Sequence, residues 1–234
     1  MRLVQIITLF LLIITFGVNA DGLVVDKVYH PYVTAGEQSV EWRLLSSETS
    51  TKNRLGQRFG YGFSLTEDMT LESYLVAERD ENNNFGVQAF ETELRWMLTE
   101  QGQYWADWGL LLEAEIADVD GGRNYEITAG AMFEKEIDKT SLTVNLFVVQ
   151  EWGETVPNET ELEVRAQYRY RYRSEIQPAI ELYTGENFIG VGPAIIGLKR
   201  FGGKKQLKWE LGFITEVAHD GKDHSLRMAL EYEF

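Results

Sequence analysis

The sequence predicts an all-β fold: a closed antiparallel barrel of twelve strands that crosses a membrane. Three observations carry that expectation. Hydrophobicity alternates with a period of two through most of the chain. The polar face of the alternation is heavily charged, while the apolar face carries Trp, Tyr, Phe and Leu. Ahead of the alternation stands a short apolar leader of the kind that directs export.

The leader comes first. Arg2 supplies one positive charge, Leu3 to Val18 is almost wholly apolar, and Val18-Asn19-Ala20 has small residues at its outer positions. The run is short for a spanning helix, and no basic stop-transfer cluster follows it. Residues 1–20 are therefore expected to form a cleaved signal peptide, leaving 214 of the 234 residues (234 − 20) from Asp21 onward. Residues 21–36, which contain His30-Pro31-Tyr32, are expected as an extended periplasmic segment, or else as a piece tucked into the lumen. Residues 37–234 are assigned to the barrel.

The strands follow. In the last segment Leu226, Met228, Leu230, Tyr232 and Phe234 lie on one face, and Arg227, Ala229, Glu231 and Glu233 on the other. As a helix this segment would mix Arg and Glu into every face. The same pattern recurs in 104–117 through Trp108, Leu110, Leu112 and Ile116, in 123–135 through Tyr125, Ile127 and Phe133, and in 140–150 through Leu142, Val144, Leu146 and Val148. It also recurs in 160–173, where Leu162, Val164 and Tyr168 oppose Glu163, Arg165 and Arg169, and in 205–217. The predicted spans are 38–48, 56–66, 69–79, 85–99, 104–117, 123–135, 140–150, 160–173, 176–184, 188–199, 205–217 and 224–234. Pro178, Pro193 and four glycines blur the pattern in 176–199, and ten strands result if that region is irregular.

Connections such as 66–68, 100–103 and 136–139 read as short. They alternate with stretches richer in Asp, Asn and Gly, such as 80–84, 117–122 and 218–223. Membrane barrels pair short periplasmic turns with longer outer loops. Aromatics fall near strand ends, among them Trp96, Trp105, Trp108, Trp152, Tyr170, Tyr172 and Phe234, as an interfacial girdle requires.

Composition narrows the function. There is no Cys, which removes disulfides and thiolate metal sites. Without Arg2 the chain keeps 21 basic and 37 acidic residues, a formal charge of −16, which excludes a nucleic-acid partner and suits cations.

The mature chain resembles the bacterial outer-membrane β-barrel proteins, and the most specific element is Leu226-Arg-Met-Ala-Leu-Glu-Tyr-Glu-Phe234. Members of that class typically end in such a strand with a terminal aromatic, which their assembly machinery recognises. The resemblance implies a Gram-negative outer-membrane location, contact with outer-membrane lipid, and that assembly machinery as a partner. It implies no substrate.

The inward face is the candidate site. From the alternation its lining includes Glu41, Arg43, Glu91, Glu93, Arg95, Glu113, Glu115, Glu163, Arg165, Arg169, Arg171, Glu210, Arg227, Glu231 and Glu233. An open lumen of this kind makes a narrow, porin-like channel or uptake protein for small hydrophilic or cationic solutes. The alternative is a closed structural or interaction barrel whose lumen is filled by its own salt bridges. A lipid-modifying enzyme is disfavoured: only His30, His219 and His224 exist, and Ser225 next to His224 points to the opposite face. No catalytic residue, cofactor or metal site is assigned. Asp118 to Gly122 lacks the distal Glu of a Ca²⁺ loop and reads as a turn, and so does His219 to His224.

Overall fold

Period-two alternation puts successive side chains on opposite faces, so a charged face and an apolar face on one strand must see different surroundings. The computed structural model describes residues 24–48, 53–79, 85–119, 121–185, 188–218 and 223–234; the leader expected over 1–20 lies outside them. The strands are β1 (Gln38–Glu48), β2 (Asn53–Ser64), β3 (Met69–Arg79), β4 (Phe85–Met97), β5 (Asp107–Val119), β6 (Gly122–Ile137), β7 (Thr140–Gly153), β8 (Glu159–Tyr170), β9 (Gln177–Thr184), β10 (Ile189–Arg200), β11 (Gln206–Glu216) and β12 (His224–Glu233). Each pairs antiparallel with its neighbours in sequence, and β1 pairs with β12 from Ser39↔Glu233 to Glu48↔His224. The sheet therefore closes and leaves no edge, the condition for strands in hydrocarbon.

The faces are inverted relative to a water-soluble barrel. Leu112, Ile116, Leu146, Leu162 and Ile180 are exposed on the outside, while Glu41, Arg43, Glu91, Glu93 and Arg227 are buried. An apolar surface that runs around the barrel is far larger than the patches water-soluble proteins tolerate, and it matches a lipid interior. Leu146, mid-strand in β7, lies between Ala131 and Val164. Leu146→Arg is expected to cost about 2–4 kcal/mol near the midplane, read as a lower denaturant midpoint for unfolding from lipid vesicles.

Aromatic rings gather at the end where β1 starts and β12 finishes. Trp108 meets Phe133 edge-on at 4.9 Å, Trp105 lies 5.7 Å from the same ring, and Tyr232 stacks on Phe234 at 5.9 Å. The opposite end has the Tyr125–Trp152 stack at 5.7 Å.

The region of blurred alternation, 176–199, forms two full strands, so the count is twelve and not ten. Pro193 is tolerated because the β10–β11 ladder has no pairs between Val191↔Thr215 and Ala194↔Gly212. Gly192 is required there, since a Cβ would meet the Phe213 carbonyl oxygen at 1.8 Å. A bulge between Val76 and Ala77 leaves Gln88 as the extra residue on β4, which the alternation did not reveal.

The expected difference in loop length is absent. The intervals at the terminal end are 65–68, 98–106, 138–139, 171–176 and 201–205; those at the other end are 49–52, 80–84, 120–121, 154–158, 185–188 and 217–223. The largest departure is at 100–103, where the expected short turn becomes the interval 98–106; at 117–122 pairing continues through Asp118↔Arg123 and Val119↔Gly122.

Candidate functional site: the barrel lumen

The lumen holds the chain's own N-terminal segment. Of the two placements the sequence left open for 21–36, residues 24–32 lie inside the barrel. Val25, Val28 and Tyr29 are almost completely buried. Val25 and Val28 pack with Tyr183 and Ile214, and Tyr29 packs with Leu111, Met132 and Phe147. The segment is extended, so most of its backbone groups cannot pair with one another, and wall side chains take their place. Asn145 accepts from the Tyr29 N–H and donates to the Tyr29 carbonyl, both at 2.8 Å. Tyr183 donates to the Asp26 carbonyl at 2.7 Å, and Arg165 to the Lys27 carbonyl at 3.3 Å.

Charge fixes the segment further. Asp26 faces three guanidinium groups: Arg58 at 3.2 Å, Arg43 at 3.3 Å and Arg165 at 3.5 Å. Lys27 faces Glu41 at 2.9 Å and Glu231 at 3.6 Å. The two neighbours thus plug into basic and acidic walls of opposite sign. Below them Tyr29 donates to Glu93 at 2.6 Å, His30 Nδ1 lies 2.5 Å from Glu134, and Tyr32 donates to Asp107 at 3.0 Å. The segment leaves the lumen where Ser64 and Glu37 donate to the Thr34 carbonyl.

The structure brings most of the sequence-assigned residues into ion pairs. Arg43 holds Glu41 at 3.0 Å and Glu93 at 3.3 Å, and Tyr74 donates to Glu41 at 2.7 Å. Arg227 links Glu181 and Glu210, the latter at 2.7 Å. Arg95 pairs with Glu72, Arg165 with Glu163 at 2.8 Å, Arg169 with Glu134 at 3.3 Å and Arg171 with Glu136 at 2.5 Å. At the terminal rim Lys208 serves Glu231 and Glu233. Burial there, and then the neighbouring Glu233, push the Glu37 carboxyl up to about 7.

One wall is different. Glu91 pairs across the strands with Glu115, Glu115 with Glu126, and Glu126 with Glu151; Glu93 pairs with Glu113. Like charges directly opposite repel, and Arg58, 2.9 Å from Glu91, and Arg43, 3.3 Å from Glu93, are the cations in ion-pair contact with this wall among the described residues. Glu113, Glu115, Glu126 and Glu151 are only half-buried. This acidic row occupies the half of the lumen away from the chain termini.

Sequence reasoning left the lumen open as one placement for the segment and missed its contacts. His30 was given no role. Leu111, Met132, Phe147, Tyr183 and Ile214 break the polar face with large apolar groups, which an open aqueous lumen does not need; that was the available signal. Gly130 belongs to it too, since a Cβ there would meet the Phe147 ring at 2.1 Å. Of the turn readings, Asp120 and His219 lie outside the described residues, while His224 stacks on Phe213 at 5.7 Å.

No family model and no curated protein matches the chain. Solved structures do. The COG4313 outer membrane channel from Pseudomonas putida F1 aligns at TM-score 0.58 and 12% identity, over 89% of this chain and 98% of that one. The translocator domain of autotransporter NalP from Neisseria meningitidis aligns at 0.54 and 9%, over 87% and 89%. The KdgM porin aligns at 0.52 and 11%, over 84% and 99%. The chain thus has the fold of bacterial outer-membrane β-barrels.

Proposed function

We propose that this chain is an outer-membrane channel for small hydrophilic, preferentially cationic solutes, and that its N-terminal segment narrows or closes the lumen. The observation that carries the reading is the carboxylate row of β4 to β7. Its Glu113, Glu115, Glu126 and Glu151 stay half-exposed beside the docked segment, with no ion pair among the described residues. A low-dielectric wall with fixed charge of one sign concentrates counter-ions and rejects co-ions. The porin and channel structures that share the fold add support by analogy of architecture.

The test is ion selectivity in planar bilayers under a KCl gradient, read on the barrel freed of residues 24–33. A reversal potential on the cation side is expected, moving toward zero in Glu115→Gln/Glu126→Gln, which removes charge from the row without touching the segment. The filled centre around Tyr29 favours the second reading, a permanently closed interaction barrel. Absence of ion conductance both in the intact barrel and in one freed of its segment would decide for that reading.

A further inference from the structure

We infer that the lumen wall binds a hard divalent cation, Ca²⁺ by ligand chemistry and spacing, through Glu91, Glu93 and Glu113. One carboxylate oxygen from each residue lies within 4.8 Å of the other two. That is the separation of two oxygens on opposite sides of one Ca²⁺ at roughly 2.4 Å each, so the three carboxylates stand within the span of a single ion. All-carboxylate sites favour Ca²⁺, Mg²⁺ or Mn²⁺ over Zn²⁺ or copper. Ca²⁺ tolerates the irregular geometry of a β wall better than Mg²⁺ does.

A second observation points to a ligand. Glu91 and Glu93 are 0% exposed, yet both Glu91 carboxylate oxygens and Glu93 Oε2 have no hydrogen-bond partner. Arg58 stands 2.9 Å from Glu91 Oε2 as an ion pair only, while Glu93 Oε1 accepts from Tyr29 and Arg43. Buried carboxylate oxygens are normally paired, and a cation between them is the direct way to satisfy both. Glu113, opposite Glu93 in the ladder, adds a third negative charge.

The fold contains its own comparison. A second carboxylate triad, Glu37, Glu231 and Glu233, is equally close-set. There Lys208 reaches Glu231 and Glu233, and Lys27 reaches Glu231, so ammonium groups already stand where an ion would. The inner triad has guanidinium contacts on Glu91 and Glu93 and, among the described residues, no cation on Glu113.

The inference is read by binding and not by current, so it stands or falls independently of the channel reading. The intact barrel in detergent micelles, stripped with chelator, is titrated with Ca²⁺ by calorimetry. Tb³⁺ luminescence, sensitised by nearby Tyr29, serves as the second readout. Saturable uptake of one ion at this site is expected. Glu113→Gln should weaken it by at least about tenfold while keeping heat-dependent gel mobility, because Glu113 makes no ion pair among the described residues. Glu163→Gln, which touches a different arginine, should leave affinity unchanged. Wild-type thermal stability should rise with Ca²⁺. Lack of saturable binding by the wild type, or wild-type affinity in both Glu113→Gln and Glu91→Gln, would overturn the site.

Discussion

Deleting residues 24–33 is expected to convert a barrel with little or no resolved current into one with discrete conductance steps. The deletion removes Val25, Val28 and Tyr29 from the middle of the lumen, where they are almost fully buried. It removes Asp26 and Lys27 together, so the net lumen charge is unchanged and cation preference should persist. Twelve strands enclose a lumen between the side-chain-filled eight-stranded barrels and the aqueous porins of sixteen strands. Single-channel recording of the two proteins, with gel mobility as the check on folding, measures the effect. The three apolar groups contribute roughly 1.5–3 kcal/mol each to docking, so the truncated barrel should also unfold at lower denaturant.

Asp26→Ala has the second large expected effect. Asp26 is the shared counter-ion of Arg43, Arg58 and Arg165. Removing one partner from a buried ionic cluster costs about 3–5 kcal/mol, because the remaining charges stay desolvated and repel. The Asp26 side chain is 17% exposed, which places the cost toward the lower end. A loss of about 3 kcal/mol shifts the docked-to-undocked ratio by roughly a hundredfold. The open-channel fraction should therefore rise in Asp26→Ala. It should rise less in Lys27→Met, since Glu41 keeps Arg43 and Tyr74 as partners. Equal effects of the two substitutions on open fraction would argue against electrostatic docking through Asp26.

The barrel was legible in the sequence because its two faces meet opposite media, and that contrast writes itself into every second residue of β5, β8 and β12. The ladder interruption around Gly192 and Pro193 was less legible, since local backbone approach and not face polarity selects those residues. The contents of the lumen were the least legible. A carboxylate on the polar face has the same pattern whether it meets water, an arginine across the lumen or the segment's own Lys27. Glu41 and Glu115 look alike in the sequence; one is locked among Lys27, Arg43 and Tyr74, and the other stands half-exposed in the acidic row. Long-range partners such as Tyr29 and Asn145 are joined by the fold alone. The segment announced itself only through the apolar residues that interrupt the polar face.

The absence of cysteine allows the central claim, that the N-terminal segment lies inside the lumen, to be tested with one introduced thiol. Val28 is 0% exposed, whereas Thr34 stands at the terminal rim and is exposed. Val28→Cys in the folded barrel should resist a membrane-impermeant maleimide and react once the barrel is unfolded, while Thr34→Cys reacts at once. Labelling of Val28→Cys in the folded barrel at the Thr34→Cys rate would contradict the account.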